Sequence, residues 1–80
     1  MTKSIFSDSY ILFRKLLLNE RKKAGLTQTE VGSRLGKPQS YVYKYEKGER
    51  RLDVIEFLDI ADAIGFNPHN IIDKIYDGEK

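Results

Sequence analysis

Two short helical patterns flank a single glycine between Leu26 and Gly48, and each carries its own start and stop signals. The first runs from Gln28 to Leu35. Thr27 precedes it and Glu30 follows three residues later, the spacing of a capping box in which side chains and backbone satisfy each other's orphaned groups. Val31 and Leu35 form its apolar pair, and Gly36 ends it. The second runs from Pro38 to about Lys47. Proline suits a first helical position, where its missing N–H would be unpaired anyway. Val42 and Tyr45 point inward at helical spacing, and Gly48 stops the helix. The pattern predicts a tight helix-turn-helix over residues 27–48.

Three more helical segments surround this pair. One spans Asp8 to about Ala24, with Ser7 or Asp8 as its cap and Gly25 as the left-handed residue after its end. Its apolar face carries Phe13, Leu16, Leu17 and Ala24, and Arg21, Lys22 and Lys23 crowd its last turn, where cations suit the helix dipole. A fourth follows Asp53, with Glu56 completing a second capping box, and ends at Ile64-Gly65. Val54, Phe57, Leu58, Ile60, Ala61 and Ile64 form its broad apolar stripe. Glu56, Asp59 and Asp62 line its wet side. The fifth starts at Asn67-Pro68 and runs to about Ile75, presenting Ile71, Ile72 and Ile75, and the tail over 77–80 is expected to fray. Gly32, in the middle of the second helix, costs roughly 1 kcal/mol against alanine, which a close helix–helix crossing would explain. The expectation is an all-α, single-domain chain over residues 1–80.

The net charge of +2 hides a partition along the chain. Residues 1–20 hold three cations and two anions. Residues 21–51 hold nine cations and three anions, net +6, and residues 52–80 hold two cations and seven anions, net −5. The basic block coincides with the helix-turn-helix, which fits phosphate binding better than a merely solvated face. There is no cysteine, so disulfides and thiolate metal sites are excluded, and a cytoplasmic setting fits. His69 is the only histidine, and a zinc site is not expected. No Ser/His/Asp arrangement is credible, and the glycines cap helices rather than form a phosphate loop, so neither an enzyme nor a cofactor is expected. No apolar run approaches the ~18 residues of a membrane span, and the first residues lack the pattern of a secretory signal.

Three blocks in order, G-L-T-Q-x-E-V at Gly25 to Val31, Q-S-Y-V-Y-K-Y-E-K-G at Gln39 to Gly48 and L-D-V-I-E-F-L-D-I-A-D-A-I-G at Leu52 to Gly65, resemble the phage-repressor/Cro-like (Xre-type) helix-turn-helix family. The resemblance covers about residues 13–75. It implies a five-helix, lambda-repressor-like DNA-binding domain whose second and third helices form the reading pair. Gln28 matches a position that binds phosphate and braces the recognition helix. Gln39, Ser40 and Lys44 match base-contacting positions, with Tyr43 on or beside the same face. Arg50 and Arg51 fall in a loop that approaches the DNA backbone, and Arg21 and Glu46 match a pair joined by a salt bridge. The chain departs from the family at Pro38, where many members have a capping Ser or Thr, and at Glu20, where many bury an aliphatic residue. Its recognition helix also carries an unusual aromatic load.

Residue chemistry bears on these assignments. Gln39 offers a donor and an acceptor together, the pattern that meets adenine N6 and N7. Lys44 can reach guanine acceptors or a phosphate, and Lys37 and Lys47 can neutralise phosphate or simply be solvated. Tyr41 can pack beside the second helix or contact DNA, while Tyr45 belongs in the core with its hydroxyl at the edge. The expected function is a sequence-specific transcriptional regulator, a repressor in this reading. It binds a palindromic operator on double-stranded DNA as a homodimer, because one recognition helix covers only a half-site. The competing reading is a protein-interaction module of antitoxin type, which the tyrosines favour. Val54, Ile55, Leu58, Ile71, Ile72 and Ile75, with Ile5, Phe6, Tyr10 and Ile11, exceed what one small core uses and point to an isologous interface.

Overall fold

In a computed structural model that describes residues 7–79, the chain forms five α-helices: α1 (Asp8–Lys23), α2 (Gln28–Leu35), α3 (Gln39–Lys47), α4 (Val54–Ile64) and α5 (Pro68–Glu79). No strand occurs among the described residues. The expected Ile5 and Phe6 of an interface and Lys80 of the tail lie outside them. None of these helices is long and apolar enough to cross a membrane.

The starts follow the side-chain chemistry. Ser7 accepts from the Tyr10 backbone N–H at the head of α1 (3.2 Å). Thr27 accepts from the Glu30 N–H (3.1 Å) while the Glu30 carboxylate accepts from the Thr27 N–H (2.8 Å). That backbone bond from Thr27 holds the Glu30 carboxyl below the usual carboxylate range. Asp53 and Glu56 form the same reciprocal pair at α4. Three differences from the sequence expectation stand out. Pro38 is the extended residue before α3 (φ −70°, ψ 161°) rather than its first residue, so Gln39 opens the helix. Ala24 is exposed, because α1 ends at Lys23 and Ala24 already belongs to the turn. The segment after Ile75 is helical through Glu79 rather than ragged. It has something to pack on: Gly78 sits so close to α1 that an added Cβ would stand 3.3 Å from Leu12 Cδ2.

One buried cluster draws on all five helices: Leu17 from α1, Val31 from α2, Val42 and Tyr45 from α3, Phe57, Ile60 and Ile64 from α4, and Ile71 from α5. Phe13 meets Phe57 edge-on at 5.3 Å between ring centroids. The stripe read on α4 is narrower than expected, since Val54 and Leu58 are exposed along with Ile55. Two long-range bonds lock the layers. Arg34 of α2 donates to the Ala63 carbonyl near the end of α4 (2.9 Å), and the Tyr10 hydroxyl of α1 accepts from the Leu52 N–H (3.1 Å). Tyr45 departs from expectation at its tip. It is 1% exposed, and its hydroxyl is buried without a hydrogen-bond partner among the described residues, not at the edge. Burial pushes its pKa well above the usual phenol value.

The helix-turn-helix angle depends on Gly32. A Cβ there would lie 2.8 Å from the Lys37 carbonyl oxygen and 3.2 Å from that of Pro38. The close approach is therefore made by the turn backbone, not by a crossing helix. Lys37 N–H donates to the Gly32 carbonyl (2.9 Å), which folds the turn back over this bare spot. Gly32→Ala gains helix propensity of roughly 1 kcal/mol. It must displace backbone, however, and overpacking of that kind costs about 1–3 kcal/mol. A net loss of stability is expected, read as a lower urea midpoint with an unchanged slope. Tyr45→Phe should do the opposite. Removing a hydroxyl that gains no bond on folding leaves stability unchanged or raises it by about 1 kcal/mol in the same titration.

Candidate nucleic-acid interface

Helix α3 turns Val42 and Tyr45 into the core, which fixes what faces outward. Gln39, Ser40, Tyr43 and Lys44 are all exposed. Gln39 and Tyr43 stand four residues apart, as do Ser40 and Lys44, so the four line one outer face of the helix. The structure thus brings the expected base-contacting residues together.

The expected phosphate residues divide into groups. Lys37, Ser40, Lys44 and Arg50 border one shallow groove together with Pro38 and Tyr41. Within it, Lys37 Nζ lies 5.4 Å from the Tyr41 ring centroid and the Arg50 guanidinium 4.9 Å from the same centroid. Arg50 also forms an ion pair with Glu56 of α4, and its Nε is buried without a partner among the described residues. A hydrogen bond with Tyr41 is the main reason its pKa rises, with Glu56 adding to it. Burial is the main reason that the Tyr41 phenol rises in turn. Arg50 is thus built into the α3–α4 junction, and Tyr41 packs rather than projects. Lys47 lies over the Tyr43 ring (5.4 Å) and is held in its charged form by a hydrogen bond to Tyr43. Arg51 lies over Tyr10 of α1 (5.3 Å), away from that groove.

Gln28 belongs to a connected chain of side chains. Arg21 donates to Glu46 through Nε (2.7 Å to Oε2) and Nη2 (3.1 Å to Oε1). Its third nitrogen donates to the Leu26 carbonyl (3.0 Å). The Arg21 and Glu46 side chains are 12% and 6% exposed, so this is a largely desolvated, bidentate pair between α1 and α3. Gln28 Nε2 donates to Glu46 Oε1 (2.9 Å), and Gln39 Nε2 donates to Gln28 Oε1 (2.6 Å). Four residues from three helices form one unbroken line that ends at the first residue of the recognition helix.

Sequence reading missed Arg14. Its guanidinium fills the space beside Gly48, where a Cβ would meet Nη1, and it reaches towards the Glu46 carbonyl at 3.5 Å. It therefore puts positive charge at the carbonyl end of α3, which the helix dipole favours. Gly48 itself adopts φ 89°, and that left-handed backbone is what calls for glycine here. The signal was available: Arg14 and Arg21 are seven residues apart and so share a face of α1. No cluster of three metal-ligating side chains occurs among the described residues. His69 lies exposed beside the Asn67 carboxamide that caps α5.

Comparison with known proteins agrees with this geometry. A family model described as helix-turn-helix matches residues 17–70. An XRE-family like protein from Pseudomonas syringae pv. tomato superposes with a TM-score of 0.85 and is 46% identical, covering 90% of this chain and 88% of that one. The restriction-modification controller protein C.AhdI from Aeromonas hydrophila superposes at 0.68 and is 29% identical, covering 74% of this chain and 86% of that one. An uncharacterized HTH-type transcriptional regulator, y4dJ of Sinorhizobium fredii, is 42% identical over 45 residues, which is 56% of this chain and 58% of that relative. The capped α2–turn–α3 unit, the outward polar face of α3 and these likenesses agree, and the chain belongs to the Xre-type helix-turn-helix family of DNA-binding proteins.

Proposed function

We propose that this protein is a sequence-specific transcriptional repressor that binds a palindromic operator as a homodimer. The observation that carries the reading is the outer face of α3. Its Gln39, Ser40, Tyr43 and Lys44 are exposed, and the first of them is held in place by Gln28. A groove bordered by Lys37, Lys44 and Arg50 adjoins that face. Two relatives support a regulatory role by their names, one as an HTH-type transcriptional regulator and one as a restriction-modification controller protein. In this reading Gln39, Ser40, Tyr43 and Lys44 contact bases. Gln28, Lys37, Lys47, Arg50 and Arg51 contact phosphates, Arg50 with its guanidinium already shared between Glu56 and Tyr41.

The protein-interaction alternative loses support from the same side chains that suggested it. Of the three tyrosines on α3, Tyr45 is in the core and Tyr41 is half-buried under Lys37 and Arg50. Only Tyr43 is presented, at 41% exposure.

Base-reading and phosphate-holding residues predict different outcomes. Gln39→Ala costs about 1–3 kcal/mol per half-site on the preferred operator and little on random DNA, because a base contact carries the sequence information. Arg51→Ala weakens both, and flattens the slope of log affinity against log salt by about 0.9 for each phosphate it no longer neutralises. Binding isotherms of both variants on both DNAs across a salt series test the assignment. Equal losses for Gln39→Ala on the two DNAs would remove its reading role, and no effect from either variant would return the interaction-module reading.

For the dimer, the burial pattern narrows the candidate surface. Ile71 is fully buried and Ile75 half-buried, so neither is available. Val54, Ile55 and Leu58 of α4, with Ile72 and Tyr76 of α5, remain exposed. They lie in the acidic part of the chain, which DNA repels, so an interface there leaves the α3 face open. Ile55→Asp should shift sedimentation at tens of micromolar from dimer to monomer; a wild-type protein that sediments as a monomer, alone and with operator, would refute the dimer.

A further inference from the structure

The side-chain line from Arg21 to Gln39 has a direction, and that direction is imposed from its buried end. An ionised carboxylate can only accept hydrogen bonds. Glu46, 6% exposed, accepts two from Arg21 and one from Gln28. Gln28 must therefore turn its NH2 group inward, which leaves its Oε1 facing Gln39. Gln39 must then donate to that oxygen. One N–H of Gln39 is consumed, and its Oε1 and remaining N–H stay outward in a fixed order. An unconstrained glutamine amide presents donor and acceptor in either order by rotating its terminal torsion, whereas this one presents a single order.

We propose that Glu46 is a specificity-determining positioning residue: through Gln28 it fixes which way the Gln39 amide faces, and so which base edge Gln39 reads. The inference rests on the base-reading role proposed for Gln39. Adenine in the major groove offers N7 as acceptor and N6 as donor side by side, and a glutamine meets both only if its NH2 and oxygen stand in the matching order. Glu46 touches no base. Its influence is the charge that forbids it to donate, and Arg21 keeps that charge compensated.

Glu46→Gln tests the idea with little change in shape. An amide at this site carries an NH2 group; with its oxygen kept on Arg21 Nε, that NH2 faces Gln28, gives up the Nη2 bond and reverses the two bonds beyond it. Gln28 would then offer its oxygen inward and its NH2 to Gln39, and Gln39 would accept instead of donate. The measurement is the ratio of affinities for the selected operator and for the same operator with the base pair read by Gln39 exchanged. Glu46→Gln should lower that ratio about fivefold, the equilibrium worth of one ordinary hydrogen bond. Gln28→Leu should lower it similarly while leaving the Arg21–Glu46 pair intact, which keeps the test available if Glu46→Gln is too unstable to assay. If Gln28 served only to hold a phosphate, Gln28→Leu would weaken both DNAs alike and leave the ratio untouched.

The decisive comparison is a double-mutant cycle. In a Gln39→Ala background, neither Glu46→Gln nor Gln28→Leu should change the ratio further, because the group they orient is gone. An unchanged ratio in the single variants, with Gln39→Ala still lowering it, would overturn the positioning role and leave the reading role standing. If Gln39→Ala itself left the ratio unchanged, the reading role would fail first. An equal drop with and without Gln39 would also overturn the proposal, since Glu46 would then act by a route other than this side chain.

Discussion

The ion pair between Arg21 and Glu46 is the interaction on which the outer face of α3 depends. It joins α1 to α3, two helices separated in sequence by the short α2 and its turns, and it does so at a largely desolvated position. Such a pair repays its desolvation only when its remaining donors and acceptors are satisfied. Here every nitrogen and oxygen of the pair has a partner: Arg21 uses its third nitrogen on the Leu26 carbonyl, and Glu46 accepts from Gln28 as well as from Arg21. Because Leu26 directly precedes the Thr27 cap of α2, one guanidinium ties the start of α2 to the last turn of α3. Gly32 sets the other limit, bringing the turn backbone against α2 closer than any side chain allows. The angle between α2 and α3 is therefore held at both ends, by charge on one side and by the lack of a Cβ on the other.

Much of the fold was legible in local chemistry. Thr27 with Glu30 and Asp53 with Glu56 mark helix starts because each reciprocal pair needs only a spacing of three residues. Gly36, Gly48 and Gly65 mark ends for the same local reason. What was not legible depended on long-range packing. Nothing near Asp77 shows that Leu12, far away in sequence, will give the last turn of α5 a surface to lie on. Nor does a pattern of apolar spacing tell which isoleucine of α5 goes inward, and Ile71 is buried while Ile72 is exposed. The place of Tyr45 in the core follows from its spacing to Val42, yet the position of its hydroxyl depends on which groups surround it there.

The candidate site divides along the same line. That Gln39, Ser40 and Lys44 face outward follows from Val42 and Tyr45 facing inward, which helical geometry supplies without tertiary information. The resemblance to a known family put Arg21 beside Glu46 and made Gln28 a brace. Neither source gave the polarity of the line joining them, because that requires all four side chains at once. Arg14 shows how a signal can exist and still go unread: its seven-residue spacing from Arg21 is plain, but only the packed helices reveal that Gly48 makes room for it.

The tyrosines connect this architecture to the basic surface. Lys37 and Arg50 lie over Tyr41, Lys47 over Tyr43 and Arg51 over Tyr10. At exposed sites a cation over an aromatic face gains only about 0.5–1 kcal/mol. That is enough to bias long, flexible side chains towards a few orientations and too little to hold them against a phosphate, with which a charge-assisted hydrogen bond is stronger. In the phosphate-holding role proposed for these cations, the rings would act as resting places that reduce the conformational entropy lost on binding. Arg50 is the exception, because the Glu56 carboxylate competes for the same guanidinium. The aromatic load of the recognition helix, ambiguous as sequence, thus makes physical sense as support for the positive charges around it.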